Sequence, residues 1–185
     1  MFQKYFTVLT LFLSLLLLTL GLAHADTGKA HKTAEGLYTE PWFNETSGNL
    51  AEDLQAAISQ NKTLTIIWEQ RGCSYCQKMH EVNLQIEATV QFIQKSFYIV
   101  LLNMRGERQI TDFDGTPIDE AKLARKHRIM GTPTIEFRNH QAEEVFRMPG
   151  YAEPLIFLGV FDYVARKEYK NSSLIPWLKK NYLGE

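Results

Sequence analysis

Trp68-Glu69-Gln70-Arg71-Gly72-Cys73-Ser74-Tyr75-Cys76 is the stretch that decides how the chain is read. It holds both cysteines of the 185-residue sequence, with two residues between them. An apolar run, Leu64-Thr65-Ile66-Ile67-Trp68, precedes them, and a helical pattern from Gln77 to Gln94 follows. The pair therefore falls where a strand passes into a helix. Backbone N–H groups at a helix N-terminus favour a thiolate beside them, and the helix dipole adds to this. Two thiols at this spacing can close a disulfide across one turn. Such a disulfide closes almost no loop and constrains the unfolded chain little, so chemistry accounts for it better than stapling. The pair reads as a dithiol/disulfide redox centre.

Towards the N-terminus, Lys4, the apolar run Phe6 to Leu20 and the small-x-small pattern Ala23-His24-Ala25 make an export signal cleaved after Ala25. The alternative is an uncleaved membrane anchor, because the apolar run from Tyr5 to Leu22 approaches the length of a membrane span. No cysteine stands at the cleavage point, which argues against a lipoprotein. On either reading the remainder works outside the cytoplasm, in the periplasm. A net charge of −1 gives no electrostatic case for nucleic acid. What remains after cleavage suits one domain with a single core. No separate dimerisation domain is visible, so a monomer is the default.

The chain then divides into residues 1–25 as signal, 26–48 as leader and arm, 49–170 as the folded domain and 171–185 as tail. Asp26 to Glu35 is polar and reads as a flexible leader. Leu37 to Phe43 carries Tyr38, Trp42 and Phe43 and reads as an arm packed on the domain edge. Asn49 can cap a helix over Leu50 to Gln60. Thr63 to Glu69 and Phe97 to Leu102 are apolar on both sides, as strands covered on two faces should be. With a helix between them they form a β-α-β unit, which gives parallel pairing.

Asn103 to Asp119 is a polar insertion. Asp112-Phe113-Asp114-Gly115 invites a calcium reading, but acidic residues are missing at the later positions such a loop needs, and a turn between two short strands is the better account. Asp119 can cap a helix from Glu120 to Lys126. Ile135 to Arg138 and Glu143 to Arg147 make an antiparallel hairpin. Glu153 to Lys170 is a helix with Leu155, Leu158, Phe161, Val164 and Ala165 on one face and Asp162, Arg166 and Lys170 away from it. Pro176 to Tyr182 is a short final helix.

This order of elements resembles the thioredoxin fold: an α/β fold with a central mixed β-sheet flanked by helices, here with an insertion after the second strand. Two motifs carry the resemblance. They are the cysteine stretch and Ile129-Met130-Gly131-Thr132-Pro133-Thr134-Ile135-Glu136-Phe137. The likeness is greatest to exported thioredoxin-like proteins of the SoxW type. It rests on Cys76-Gln77-Lys78-Met79-His80, Thr111-Asp112-Phe113-Asp114-Gly115 and Phe146-Arg147-Met148-Pro149-Gly150-Tyr151. Those proteins are similar to reductants that keep periplasmic partners in the dithiol state, including parts of sulfur-oxidation systems. The resemblance implies disulfide-containing or dithiol protein partners and a membrane thiol-transfer protein as electron donor. It also implies that Pro133 is cis beside the cysteines and that the Thr132 backbone pairs with a partner chain as an added strand. Many thioredoxins carry a buried Asp before the motif, and Ile67 stands in that place here. Glu69 points to the same face of the strand and is the candidate proton acceptor, unless that role falls to water or Glu69 is an exposed salt-bridging side chain.

The mechanism expected of this site has Cys73, at the first helical turn, as the exposed nucleophile. Cys76, deeper and one turn on, resolves the mixed disulfide. Tyr75 and Ser74 set the environment between the sulfurs. Arg71 either favours the thiolate or is simply solvated. Three alternatives remain at this point. One is a disulfide oxidant or isomerase. Another is a copper or zinc module using Cys73, Cys76 and His80, with His127 or His140 brought near by the fold, although no fourth ligand is evident and His80 reads as a helix-surface residue. The last is a redox-inert fold that binds a partner. Haem attachment is excluded because Gln77 stands where the required His would be. No cofactor and no metal are expected.

Overall fold

The computed structural model describes residues 30–184, so the expected export signal and its cleavage site lie outside the described residues. In chain order the elements are β1 (His31–Lys32), β2 (Tyr38–Thr39), α1 (Leu50–Ser59), β3 (Thr63–Glu69) and α2 (Ser74–Glu81). A 3-10 turn (Asn83–Gln85) leads to α3 (Glu87–Ser96) and β4 (Phe97–Asn103). Then come β5 (Gln109–Thr111), β6 (Pro117–Asp119), α4 (Glu120–Lys126), β7 (Thr134–Arg138) and β8 (Glu144–Pro149). The chain ends in α5 (Pro154–Ala165), a 3-10 turn (Glu168–Lys170), α6 (Leu174–Leu178) and a wide turn (Lys179–Leu183).

The central sheet has the order β4-β3-β7-β8 and is mixed. β3 runs parallel to β4, with Ile67 beside Leu101, and antiparallel to β7, with Ile67 beside Ile135. Side chains alternate across a strand, so β3 feeds two separate cores. Ile67, with Phe97, Ile99, Ile135 and Phe137, packs against α2, α3 and α5. Leu64, Ile66 and Trp68 pack on the other face, against α1 and α4. At the centre of the first core the Phe161 ring lies 4.9 Å from Phe97, 5.1 Å from Phe137 and 5.0 Å from Phe157. Burying each such side chain contributes about 1.5–3 kcal/mol.

Asn49 caps α1 as its sequence suggests, its side chain accepting from the N–H groups of Ala51 and Glu52. Asp119 stands at the cap position of α4 but makes no capping bond, and its carboxylate pairs instead with Lys122 at 2.6 Å. Asp114-Gly115 forms the turn between β5 and β6, as expected.

The single helix expected over Gln77 to Gln94 is two helices. The break is made by Asn83, fully buried, whose side-chain amide donates to the carbonyl of Ala152 at 2.9 Å, and by Ile86, which adopts an extended conformation. The helix expected over Glu153 to Lys170 ends at Ala165, and its buried face differs from the expected one. Leu155 is exposed, whereas Phe157 and Val160 are buried. The reason is α6, which covers the outer side of α5. It approaches so closely that a Cβ on Gly159 would collide with Leu178. Asp162, expected in solvent, is therefore buried, where it accepts from Arg166 at 2.8 Å and from the Tyr182 hydroxyl at 3.0 Å. Burial and that bond push the Tyr182 phenol up to about 12.

The leader segment is not free where it is described. His31 and Lys32 pair with Thr39 and Tyr38 in a hairpin. The arm continues to the edge of β4, where the Asn44 N–H donates to the Ile99 carbonyl at 2.7 Å and its side chain accepts from the Ile99 N–H at 3.0 Å. Leu37 and Tyr38 are buried by this docking.

Candidate active site

Gly72, at φ 76°, turns the chain out of β3 into α2. Cys73 and Cys76 are joined in a disulfide with their Cα atoms 5.2 Å apart. Cys73 caps α2, and its sulfur accepts the Cys76 N–H at 3.1 Å. The helix N-terminus thus points a donor at the outer sulfur, the arrangement that lowers a thiol's pKa. Cys73, expected to be the exposed sulfur, is only 8% exposed, and Cys76 is wholly covered. Tyr38 forms one small buried cluster with the two cysteines, and its hydroxyl donates to Gln77 at 2.9 Å.

The Thr132–Pro133 bond is cis. The β3/β7 register, carried one residue past the pair Trp68–Thr134, sets Pro133 opposite Glu69. The Pro133 carbonyl accepts from the Gly150 N–H at 2.7 Å. The next residue, Tyr151, stacks on Tyr75 with ring centroids 6.1 Å apart. Lys78 lies over the Tyr151 ring at 4.3 Å and pairs with Glu153 at 2.8 Å. These contacts bring the cysteine turn, the Thr132-Pro133 loop and the loop after β8 to one end of the molecule. Tyr75 is 61% exposed and Met130 90% exposed there, a pair of large apolar side chains left in solvent. Arg71 is exposed and donates to the Glu35 carbonyl at 3.0 Å, which ties it to the leader.

Glu69 is fully buried, so it is not an exposed salt-bridging residue. Its Oε2 accepts the Tyr38 N–H at 3.0 Å, and its Oε1 lies 2.9 Å from His80 Nε2. His80 is also fully buried, against the expectation of a helix-surface histidine. It stands one turn after Cys76 on the buried face of α2, and its Nδ1 lies 2.8 Å from Glu40 Oε1. Burial opposes charge on this imidazole, but the hydrogen bonds to Glu40 and Glu69 outweigh it and raise its pKa above the ordinary 6.5. Both ring nitrogens are thereby engaged, which takes His80 away from a metal. Among the described residues no group of three or more His, Cys, Asp or Glu is placed to hold a metal ion. His140 is exposed at the hairpin turn.

His127 belongs to a second buried cluster behind the other face of the sheet. It lies 3.1 Å from both Asp112 and Glu136. Glu136 also accepts from Trp68 Nε1 at 3.1 Å and from Arg147 at 2.7 Å. This cluster ties the β5–β6 insertion to the sheet. Burial alone would raise the Glu136 pKa, but the bond to His127 and the Arg138 charge hold it at about 2.

Fold and site together define the class: a thiol–disulfide oxidoreductase with one redox-active cysteine pair. The thioredoxin-like domain family matches residues 50–165, and the chain belongs to that family. Among solved structures, a thioredoxin-fold protein from Helicobacter pylori is similar to it with a TM-score of 0.57 and 17% identity, over 68% of this chain and 87% of that one. A thioredoxin from Thermus thermophilus is similar with a TM-score of 0.53 and 23% identity, over 77% of this chain and 93% of that one. At these identities both show the shared fold. No curated protein matches the chain significantly.

Proposed function

We propose that the protein is an exported reductase of disulfides in periplasmic proteins or sulfur carriers, of the SoxW type within its family. In this scheme Cys73 is the nucleophile and Cys76 resolves the mixed disulfide. The partner chain lies along Thr132-Pro133 and over Tyr75, and Glu69 handles the Cys76 proton. Residues 1–25 are the export signal, 26–48 the leader and arm, 49–170 the thioredoxin-like domain and 171–185 the tail. A membrane thiol-transfer protein supplies the electrons, because no further cysteine exists to relay them. The protein works as a monomer. Among the described residues no helix is long and apolar enough to cross a membrane.

The observation that carries the proposal is the Cys73–Cys76 disulfide across the first turn of α2, with its outer sulfur accepting a helix N–H. The reductase direction is favoured by what lies behind it. A strong oxidant of this fold owes its potential to a stabilised reduced form. Here two buried carboxylates, Glu40 and Glu69, share one imidazole on the face that also carries Cys76. Acidic side chains outnumber the basic one in that group, so the face supplies no net positive charge of the kind that stabilises a thiolate. The test is mass spectrometry of the thiol-trapped protein after treatment with a mild dithiol and then with a protein disulfide. Reversible gain and loss of two trapped thiols is expected, and a pair that does not cycle overturns the proposal.

A further inference from the structure

We infer that the Tyr38 ring is a gate that sets which thiols and disulfides reach Cys73. Small molecules pass it closed, and a protein partner reacts only when the ring and the hairpin above it have moved. The inference rests on the oxidoreductase reading above and names a specificity residue outside both motifs.

Thiol–disulfide exchange needs direct approach of a thiolate to the attacked sulfur, so its rate depends on access. The outer sulfur belongs to Cys73, which is 8% exposed, whereas Ser74 and Tyr75 beside it stand in solvent. Cys73 and Cys76 share their buried cluster with Tyr38, itself 6% exposed, and Ala30 packs against that cluster. Tyr38 and Ala30 both come from the arm. The enclosure of the cysteines is therefore completed by a segment outside the cysteine turn.

The arm is held firmly at its root. The Tyr38 N–H donates to buried Glu69 at 3.0 Å, Glu40 lies 2.8 Å from buried His80, and the Asn44 N–H donates to the Ile99 carbonyl at 2.7 Å. The ring is held by less. Its hydroxyl donates to half-buried Gln77 at 2.9 Å, and the Lys32 ammonium lies over its face at 4.7 Å. Above it, the strands β1 and β2 have two residues each, and His31 and Lys32 are exposed. The hairpin turn rests on the domain through Glu35, whose carbonyl accepts from Arg71 at 3.0 Å and whose carboxylate accepts from Asn103 at 2.7 Å. Short, exposed pairing of this kind lies at the low end of local stability. The ring can turn about its fixed backbone when the hairpin lifts from Arg71. An open state populated at about 0.1–10% is ordinary for such an element, and the rate of a partner that needs it scales with that fraction.

The gate acts on the first step of reduction by a dithiol donor. The donor thiolate bonds to Cys73 Sγ, the Cys73–Cys76 bond breaks, and Cys76 leaves as a thiolate and takes a proton from water. The donor's second thiol loses its proton to water, attacks the donor's first sulfur and releases Cys73. The donor is oxidised and the pair reduced by two electrons.

The experiment measures, by thiol trapping, how fast the oxidised mature chain is reduced by dithiothreitol and by reduced thioredoxin from another source. Tyr38→Phe keeps the ring and removes the bond to Gln77, and Gln77→Ala removes that bond from its other side. One hydrogen bond is a factor of about 2–10 in an equilibrium. Each variant should therefore be reduced about 2- to 10-fold faster by thioredoxin, with a change below about 2-fold for dithiothreitol. A second measurement leaves the arm unaltered: hydrogen exchange of the Cys76→Ser chain, free and joined through Cys73 to a single-cysteine protein. The hairpin ahead of Tyr38 should lose protection in the joined form, while the segment around Asn44 keeps it. Acceleration no larger with thioredoxin than with dithiothreitol, or a hairpin as protected in the joined form as in the free one, overturns the gate and leaves the oxidoreductase reading standing. Failure of the unsubstituted protein to be reduced by either donor overturns both.

Discussion

His80→Ala should unbalance the buried cluster in a way that pH reveals. The imidazole side chain is 0% exposed, and the carboxylates of Glu40 and Glu69 are 7% and 0% exposed. Its loss strands two carboxylates facing each other without their shared cation. Hydrogen bonds to charged groups contribute about 1.5–3 kcal/mol each, and removing one member of a buried pair costs about 3–5 kcal/mol. The two bonds share one imidazole and do not add fully, so a loss of about 4 kcal/mol is expected near neutrality. With a urea slope of about 2 kcal/mol/M, the midpoint should fall by about 2 M. The assay is urea unfolding of the oxidised protein, followed by tryptophan fluorescence. Acidification should shrink the deficit, because a stranded carboxyl can then take up a proton. Glu69→Gln should restore part of the stability in the His80→Ala background, with a coupling of about 1–3 kcal/mol. A loss below about 1 kcal/mol, or a deficit that is the same at neutral and acid pH, would refute the reasoning.

Other outcomes follow from the same structure. Cys76→Ser should leave Cys73 able to attack but not to be released, so mixed disulfides with partner proteins should accumulate on non-reducing gels, while Cys73→Ser should form none. Phe161→Ala should cost about 3–5 kcal/mol by urea unfolding, because it empties the centre of the core between α5 and the sheet. The His127 cluster sets a pH window. Burial opposes the His127 charge, but the bonds to Asp112 and Glu136 raise its pKa above 6.5, so its contribution is complete below 6.5 and is lost as pH rises through the raised value. His80 contributes with the same sign. Glu136, held at about 2 against an ordinary 4.5, contributes above 4.5 and is lost as pH falls towards 2. Asp112 is also held low, despite burial, by His127 and Lys126. Urea midpoints should peak between these limits, and His127→Gln should flatten the alkaline side. A profile that keeps rising above neutrality would contradict this.

The sheet and the cysteine turn were legible because they are local. The run from Thr63 to Glu69 is apolar on both faces, and the two motifs around Cys73 and Pro133 are short and contiguous. Asn49 announces its helix in the same way, since a cap is a contact with the next three residues. What escaped was set by distant chain. The break between α2 and α3 depends on Asn83 reaching Ala152, a partner 69 residues on. The burial of Asp162 depends on α6 covering α5. His80 stands at the right interval from Cys76 to share its buried face, a signal present in the sequence. Its meaning appears only when Glu40 arrives from the arm, 40 residues earlier. Glu69 was a candidate through the thioredoxin resemblance, with strand alternation setting it on the same face as Ile67; that it is buried depends on Tyr38 and His80.

The most direct test of the central claim is the reduction potential of the Cys73–Cys76 pair, measured by equilibrium with dithiol and glutathione buffers and quantified from trapped thiols. Potentials across this fold span roughly 150 mV, about 7 kcal/mol for a two-electron couple. A value near or below about −230 mV is expected of a reductase. A value near about −120 mV would contradict the proposed direction and make the protein an oxidant.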